Sequence, residues 1–590
     1  MPYQLIPHRC KDCTVYAAGD PRIPAALAEV QPSADLPAVL PVPLPFAPEA
    51  VTCCLETDGV WWIGGDGGVL RYDPQGDHAA RCFYFSAPRD LPDGRVQALL
   101  ALPEGDGVFA RTQTGAAKLT VPVLTAQEKA ERLLRETLAI VDRRGMISQK
   151  QLAVPRALAS HVPYGHSDND GGFTAMFAAG ELFRYAVLRR EKGAYAPETL
   201  EAQRVATRAV EACLLLFFIH GRGDGFLART YLCSDEPLPD DGLFFRRQGK
   251  TAVCLDTAEA RERGCVGAQI PCDAPIPDRL AALYRDCGYT DDDILYKADT
   301  SSDEVTLQFM MLRYAHDFLN PVDPDLGALI RRAATGLLDH VLTHGRTLHD
   351  FHGAPTTWAK WSPDYFETEF GWVDACINSA QLLMYHRIVM HITGEQGRWR
   401  ESHDRLIAEG YADLPQKHFD RLYQMSLAED YDFREEIMYG DHMLAVASLW
   451  QLCMLETDPA LLALYRKGME SWRSSIAPEH NPGYDLPYLL ACPGASADFD
   501  RMAHWFYRTN VSRLAAGVRV RARRDVPVRT LRRGMREISV LLPPDERFIS
   551  KYDRDPFRWI DEDSGGVHVV ESCYVYTFAY WLGRYYDFFI

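Results

Sequence analysis

The chain has no excess of basic residues, no long apolar run and no low-complexity stretch, and each absence narrows what it can do. Its 63 Lys and Arg are outnumbered by 81 Asp and Glu, for a formal charge of -18. Such a surface repels a phosphate backbone and an anionic bilayer, so neither nucleic acid nor a membrane is expected as the main partner. A local basic pocket for an anionic sugar remains compatible with that charge. The most apolar stretch, around Leu214–Ile219, is far shorter than the ~20 residues a helical crossing takes. The opening MPYQLIPHRCKD lacks a basic segment followed by an apolar one, so no secretory signal is read and the cytoplasm is the expected compartment. The 15 cysteines are odd in number and scattered, which fits reduced thiols. Cys10 and Cys13 form a CxxC pair without a second pair at zinc-ribbon distance. His349 and His352 lack a third ligand at metal-site spacing, so no metal and no cofactor are expected.

What is present is enough apolar residue, 47% of 590, for a large core and a smaller one. Residues 1–122 are rich in Pro, Gly and short β-like runs, and residues 123–590 turn helical. Two stretches in the first part resemble each other. Asp58-Gly59-Val60-Trp61-Trp62-Ile63 precedes Gly67-Gly68-Val69-Leu70-Arg71-Tyr72. Asp106-Gly107-Val108-Phe109 precedes Gly115-Ala116-Ala117-Lys118-Leu119. Each reads as strand, glycine turn, strand. They are similar to the repeats of two-component-regulator propellers. Two repeats cannot close a propeller, so a partial sheet sheltered by the second part is expected.

Beyond Thr125 two kinds of helix alternate. Asp323-Pro324 opens one whose Leu326, Leu329, Ile330, Ala333, Leu337, Leu338 and Val341 mark a single buried stripe, and Ala202–Phe218 reads likewise. Thr174–Val187, Val305–Tyr314, Val373–Ile392 and Ala445–Leu455 are apolar nearly all round, as expected of helices buried on every side. Tyr574–Phe588 supplies a last aromatic helix. Amphipathic helices outside and apolar ones inside predict a mainly α fold: an (α/α)6-type toroid of helical hairpins with a small N-terminal β-rich domain.

Each inner helix is headed by a polar cluster. These are Asp168 to Gly172, Lys297 to Glu304, Glu369 to Asp374, Tyr439 to His442, and Asp561 to Gly566 followed by His568 and Glu571. The alternation, the helix-head carboxylates and the intervening tryptophans resemble the six-hairpin glycosidase superfamily over roughly residues 125–590. That resemblance implies the toroid, a carbohydrate substrate and acid/base carboxylates; parallel inner helices would bring the clusters to one mouth.

Glycoside hydrolysis needs one protonated and one ionised carboxyl. Asp170 and Asp303 are the expected pair, Asp303 as acid, with Glu304 and Asp441 as alternates. Asp168, Asp299, Asp374 and Glu571 are further rim carboxylates. Arg229 and Lys297 are the expected partners of a uronate carboxylate. Trp358, Trp361 and Trp372, with Tyr439 and Trp559, are expected as flat platforms for sugar faces. Lys360 lies in the same stretch, His349 to Trp361, read as a polar loop. The small carbohydrate is the expected partner, and self-association stays open. Two alternatives stand beside the hydrolase: a lyase using Tyr439 or His442 as base, and a sugar-binding protein without turnover. A DxDD box is absent, which argues against a terpene cyclase.

Plainer roles compete at each head. Ser301 and Glu304 fit a capping box, with Thr300 and Asp303 in a second register. Asp168 and Asp170 fit a capped turn; a calcium loop fails because Phe177 stands where its bidentate Glu belongs. Asp441 fits an N-cap beside a core histidine, and Glu571 fits a buried carboxylate paired with Arg584.

Overall fold

The computed structural model describes residues 2–34, 42–351, 353–517, 523–547, 552, 554–559 and 566–590. Strands Val51–Thr57, Val60–Gly65, Gly68–Tyr72 and Cys82–Phe85 form one antiparallel meander. Asp12–Ala17, Gly115–Thr120, Gly107–Thr112 and Val96–Ala101, in that order, form a second sheet. Asp58 and Gly59 take φ of 52° and 78°, the left-handed pair of a tight hairpin whose twist matches its strands. The two strand–turn–strand units read from sequence are both present, one per sheet. Trp62, Val69 and Phe85 of the first sheet share a buried cluster with Val108, Ala117 and Leu119 of the second. Fully buried Arg71 donates to Asp106 at 3.0 and 3.1 Å, tying one hairpin to the other.

The rest is mainly α-helical. Six helices are largely buried: α1 (Asp170–Lys192), α2 (Ser302–Leu319), α3 (Gly371–Thr393), α4 (Tyr439–Leu455), α5 (Pro482–Ala491) and α6 (Tyr574–Tyr585). Four were legible as all-apolar runs and α6 as an aromatic one. The ten residues of α5, interrupted by Pro487, are too few to display a period. Contacts pass from α1 to α2, α3, α4, α5 and α6, and from α6 back to α1. Phe183 of α1 closes part of this succession, packing 4.7 Å from Tyr314 of α2 and 5.4 Å from Tyr585 of α6. Amphipathic helices lie against these six: Pro197–Leu215 on α1, Pro324–Thr343 on α2 and α3, and Pro459–Ile476 on α4. Asp323 caps Pro324–Thr343 by accepting from Leu326 N at 3.0 Å, and the predicted stripe is buried apart from Leu329, which is half-buried at its edge. Among the described residues no helix is long and apolar enough to cross a membrane.

Helical periodicity does not hold throughout residues 123–590. Strands Thr230–Cys233, Ile294–Lys297, Phe244–Gln248, Thr251–Cys254 and Gln269–Pro271 build a five-stranded antiparallel sheet in that order. Runs this short cannot be told from helix fragments by period. The sheet has a positioning role: Arg229 N–H donates to Lys297 O at 2.9 Å, so both residues arrive together just ahead of α2. The stretch from His349 to Lys360, read as a loop, is a hairpin of Thr347–His349 and Pro355–Lys360. His352 lies outside the described residues, as does Asp561 to Gly565 of the last polar cluster.

Buried charge joins the β-rich segment to the helices. Arg508, at the end of helix Phe499–Arg508, donates to Asp545 at 2.9 and 3.1 Å and to Glu546 at 2.9 Å. Its guanidinium stands 4.5 Å from the ring of Phe83. Lys129 is fully buried and donates to Phe506 O at 2.7 Å and Tyr507 O at 3.1 Å.

Candidate active site

At the N-terminal ends of α2 and α4 a cavity of about 420 Å³ opens to solvent. Asp303, Glu304, Tyr439 and Asp441 line it, with Asn169 and Phe173 from the head of α1. A carboxylate in a first helical turn has a standing structural use as a cap, so whether these groups cap decides how they are read. None of them caps its own helix. Ser301 makes no capping hydrogen bond, and its buried hydroxyl has no partner. Glu304 does not reach back to Ser301. It crosses to α1 and accepts from Gly172 N at 2.6 Å, while its Oε1 is buried and unpartnered. The residues preceding α1 and α4, Asn169 and Met438, likewise make no side-chain cap.

The carboxyls sense one another. Burial pushes Asp441 well above the ordinary carboxylate range, and the charges of Asp303 and Asp374 push it further. Among the described residues its side chain has no hydrogen bond and no cation. Asp303 keeps partial access to solvent, yet its walls are close enough that burial raises it too, with Asp374 adding to the shift. Against this, the Arg229 charge and the Ser302 hydroxyl favour its ionised form. Glu304 is raised well above its usual value by burial, with Arg229 opposing and Asp303 assisting. Asp374 is raised by burial and held back by the Tyr365 hydroxyl, which donates to it.

Other expected residues have different occupations. Asp170 is 1% exposed and is held by the Arg143 guanidinium and the Thr230 hydroxyl; it does not line the cavity. Lys297 is paired with Asp168. Arg229 donates to the carbonyls of Asp168 and Asp299, the latter at 3.2 Å, so these two cations organise the rim. Asp299 accepts from Thr357 N at 2.8 Å and Thr357 Oγ1 at 2.9 Å, fixing the strand that carries Trp358. Trp358 is 52% exposed, whereas Trp361 is fully buried with its indole N–H on Gln381 at 2.8 Å. Trp372 is half-buried beneath the guanidinium of Arg421, 4.8 Å away. The three tryptophans therefore do not make one platform. Lys360 lies over the Tyr365 ring at 5.6 Å. His442 belongs to the core: its Nδ1 meets Met438 O at 2.9 Å, its Nε2 meets Ser475 Oγ at 2.6 Å, and burial lowers it to about 4. Glu571 sits in strand Val569–Glu571, ahead of the aromatic helix, and pairs with Arg513 at 3.3 Å; Arg584 is engaged with Glu191.

The far wall of the cavity comes from a segment whose function the sequence barely announced. Arg547, Arg554, Asp555, Arg558 and Trp559 line it, together with Ile538 and Leu542. Arg547 is committed to Glu479 at 2.6 Å. Arg554 and Arg558 are exposed, and neither has an ion-pair partner among the described residues. The one available signal was the density of Arg, Asp and aromatic residues from Arg554 to Trp559. No family model, curated protein or solved structure matches the chain.

Proposed function

We propose that the chain is a carbohydrate-active enzyme, a glycoside hydrolase built on an α/α toroid. The cyclic succession α1 to α6 with amphipathic helices outside supports the toroid reading. The observation that carries the chemistry is that Asp303, Glu304 and Asp441, at the heads of two different helices, do not cap their own helices and share one cavity. Burying carboxyls together, one of them with neither hydrogen bond nor cation, costs stability, and such groups are retained where a shifted pKa is used.

Asp441 is the general acid. With nothing to stabilise its anion, it holds a proton ready for the leaving oxygen. Asp303, favoured as an anion by Arg229 and the Ser302 hydroxyl, is the base or nucleophile. This exchanges the role first expected of Asp303 and leaves Asp170 as a positioning residue beside Arg143. Tyr439 and Trp559 offer ring surface for the sugar. Arg554 and Arg558, rather than Arg229 and Lys297, are the cations available to an acidic substituent.

A lyase reading fares less well. Burial, with the nearby Asp555 and Glu479, pushes the Tyr439 phenol far up and away from the anionic form a base needs. His442 is enclosed on Ser475. The test is turnover on a panel of neutral and uronic-acid aryl glycosides by the wild type, Asp303→Asn and Asp441→Asn. Each variant is expected to lose about 10²–10⁴-fold in kcat with its thermal unfolding unchanged or raised. A product absorbing in the ultraviolet would point to elimination, and saturable binding without turnover to a sugar-binding protein.

A further inference from the structure

We infer that His316, Asp317 and His391 form a binding site for one divalent cation of the zinc class, bridging the C-terminal turns of α2 and α3. The three side chains are the one group of potential ligands among the described residues whose donor atoms all lie within 4.8 Å of one another. Asp317 Oδ1 is the centre: His391 Nε2 stands 2.6 Å from it and His316 Nδ1 3.7 Å. His316 Nδ1 is buried and makes no hydrogen bond, so it is a donor atom without a protein partner, beside a carboxylate. Tetrahedral zinc with bonds of about 2.0–2.2 Å separates its ligands by roughly 3.3–3.6 Å, which is reached by opening the His391 contact by about 0.7–1.0 Å and closing the His316 contact by about 0.1–0.4 Å.

Three further features favour a cation. Two imidazoles and one carboxylate are a borderline-soft donor set, suited to zinc rather than to calcium or magnesium. Both helices end here, so their last carbonyls turn partial negative charge toward the site. The carboxylate divides its oxygens: Oδ1 faces the histidines while Oδ2 lies 3.8 Å from Arg313 Nε, a cation beyond hydrogen-bond reach that favours the ionised carboxylate and leaves Oδ1 for the metal. The partly exposed His391 opens the remaining position to water. Thirteen residues of α2 separate Asp303 from His316, about 20 Å at helical rise, so this ion would clamp two helix ends rather than join the chemistry at the mouth.

The plainer reading is a hydrogen-bonded His–Asp–His staple, and the experiment separates the two. The full chain, reduced and stripped with a chelator, is titrated with Zn2+ against a chromophoric competitor and separately with Co2+. The wild type is expected to bind one more equivalent than His391→Ala and than His316→Ala. Its Co2+ form is expected to show ligand-field bands without thiolate charge transfer. Removing even an outer partner of a metal ligand costs about 10–100-fold in affinity, so loss of a ligand should cost at least about tenfold. Zn2+ should also raise the thermal midpoint of the wild type and not of either variant. Equal stoichiometry and affinity in all three proteins, or Co2+ bands of thiolate type, would overturn the assignment, as would no binding at all.

Discussion

Asp441 illustrates what a single side chain can and cannot tell from sequence. Its place in the first turn of an apolar helix was legible, and so were two readings of it, cap or catalyst. Deciding between them requires knowing which donors surround it, and those come from parts of the chain far away in sequence. Its raised pKa has a consequence for stability. Between the unfolded carboxyl value of about 4 and the raised folded value, the native state binds more protons than the unfolded state. Stability contributed by the protonated group is thus present at low pH, declines as pH rises through that window, and levels off above it. Asp441→Asn should flatten this decline and leave the protein as stable as the wild type or more so near neutrality, as read by urea unfolding at a series of pH values. Gly171 makes a complementary case. A Cβ there would stand 2.5 Å from Glu304 Oε2 and 2.8 Å from Leu216 Cδ1. Gly171→Ala should push Glu304 off Gly172 N–H, costing about 1–3 kcal/mol of stability and most of the turnover.

At the scale of elements, long periodic segments were readable and short ones were not. The stripe of Pro324–Thr343 needs only its own spacing to be seen. The five-stranded sheet and α5 are made of segments whose apolar residues acquire meaning only from distant partners, and the sheet is what sets Arg229 beside Lys297. The three tryptophans failed as a platform for a related reason: proximity in sequence placed Trp358 and Trp361 on one hairpin strand and its end, one half-exposed and one in the core. The loop into that sheet is itself pinned by a close backbone approach. Gly225 has φ of 84°, and a Cβ there would meet Gly336 O of helix Pro324–Thr343 at 2.0 Å. Gly225→Ala should destabilise by at least about 1–3 kcal/mol and lower turnover by displacing Arg229, whereas Gly249→Ala, with φ of 62° but open space around it, should cost only the backbone term.

For the whole molecule, the alternation of amphipathic and all-apolar helices announced how the chain would layer, but nothing in it announced the second wall of the cavity. Arg547 of that wall follows Asp545 and Glu546, which brace the β-rich sheets through Arg508. Lys11 and Arg89 of the β-rich part donate to Asp545 O, two residues before Arg547 of the cavity wall. Arg508→Ala leaves Asp545 buried without its cation and Glu546 with Arg523 alone, and should cost about 3–5 kcal/mol in chemical denaturation. It should also reduce turnover although Arg508 touches no part of the cavity.

The proposed chemistry requires Asp441 to be a neutral acid at working pH. Infrared difference spectra of the wild type against Asp441→Asn report its carboxyl directly across a pH titration. A protonated carboxyl band at neutral pH, absent from the variant and disappearing along the alkaline limb of turnover, is the predicted result. An Asp441 already ionised at neutral pH while turnover remains full would contradict it.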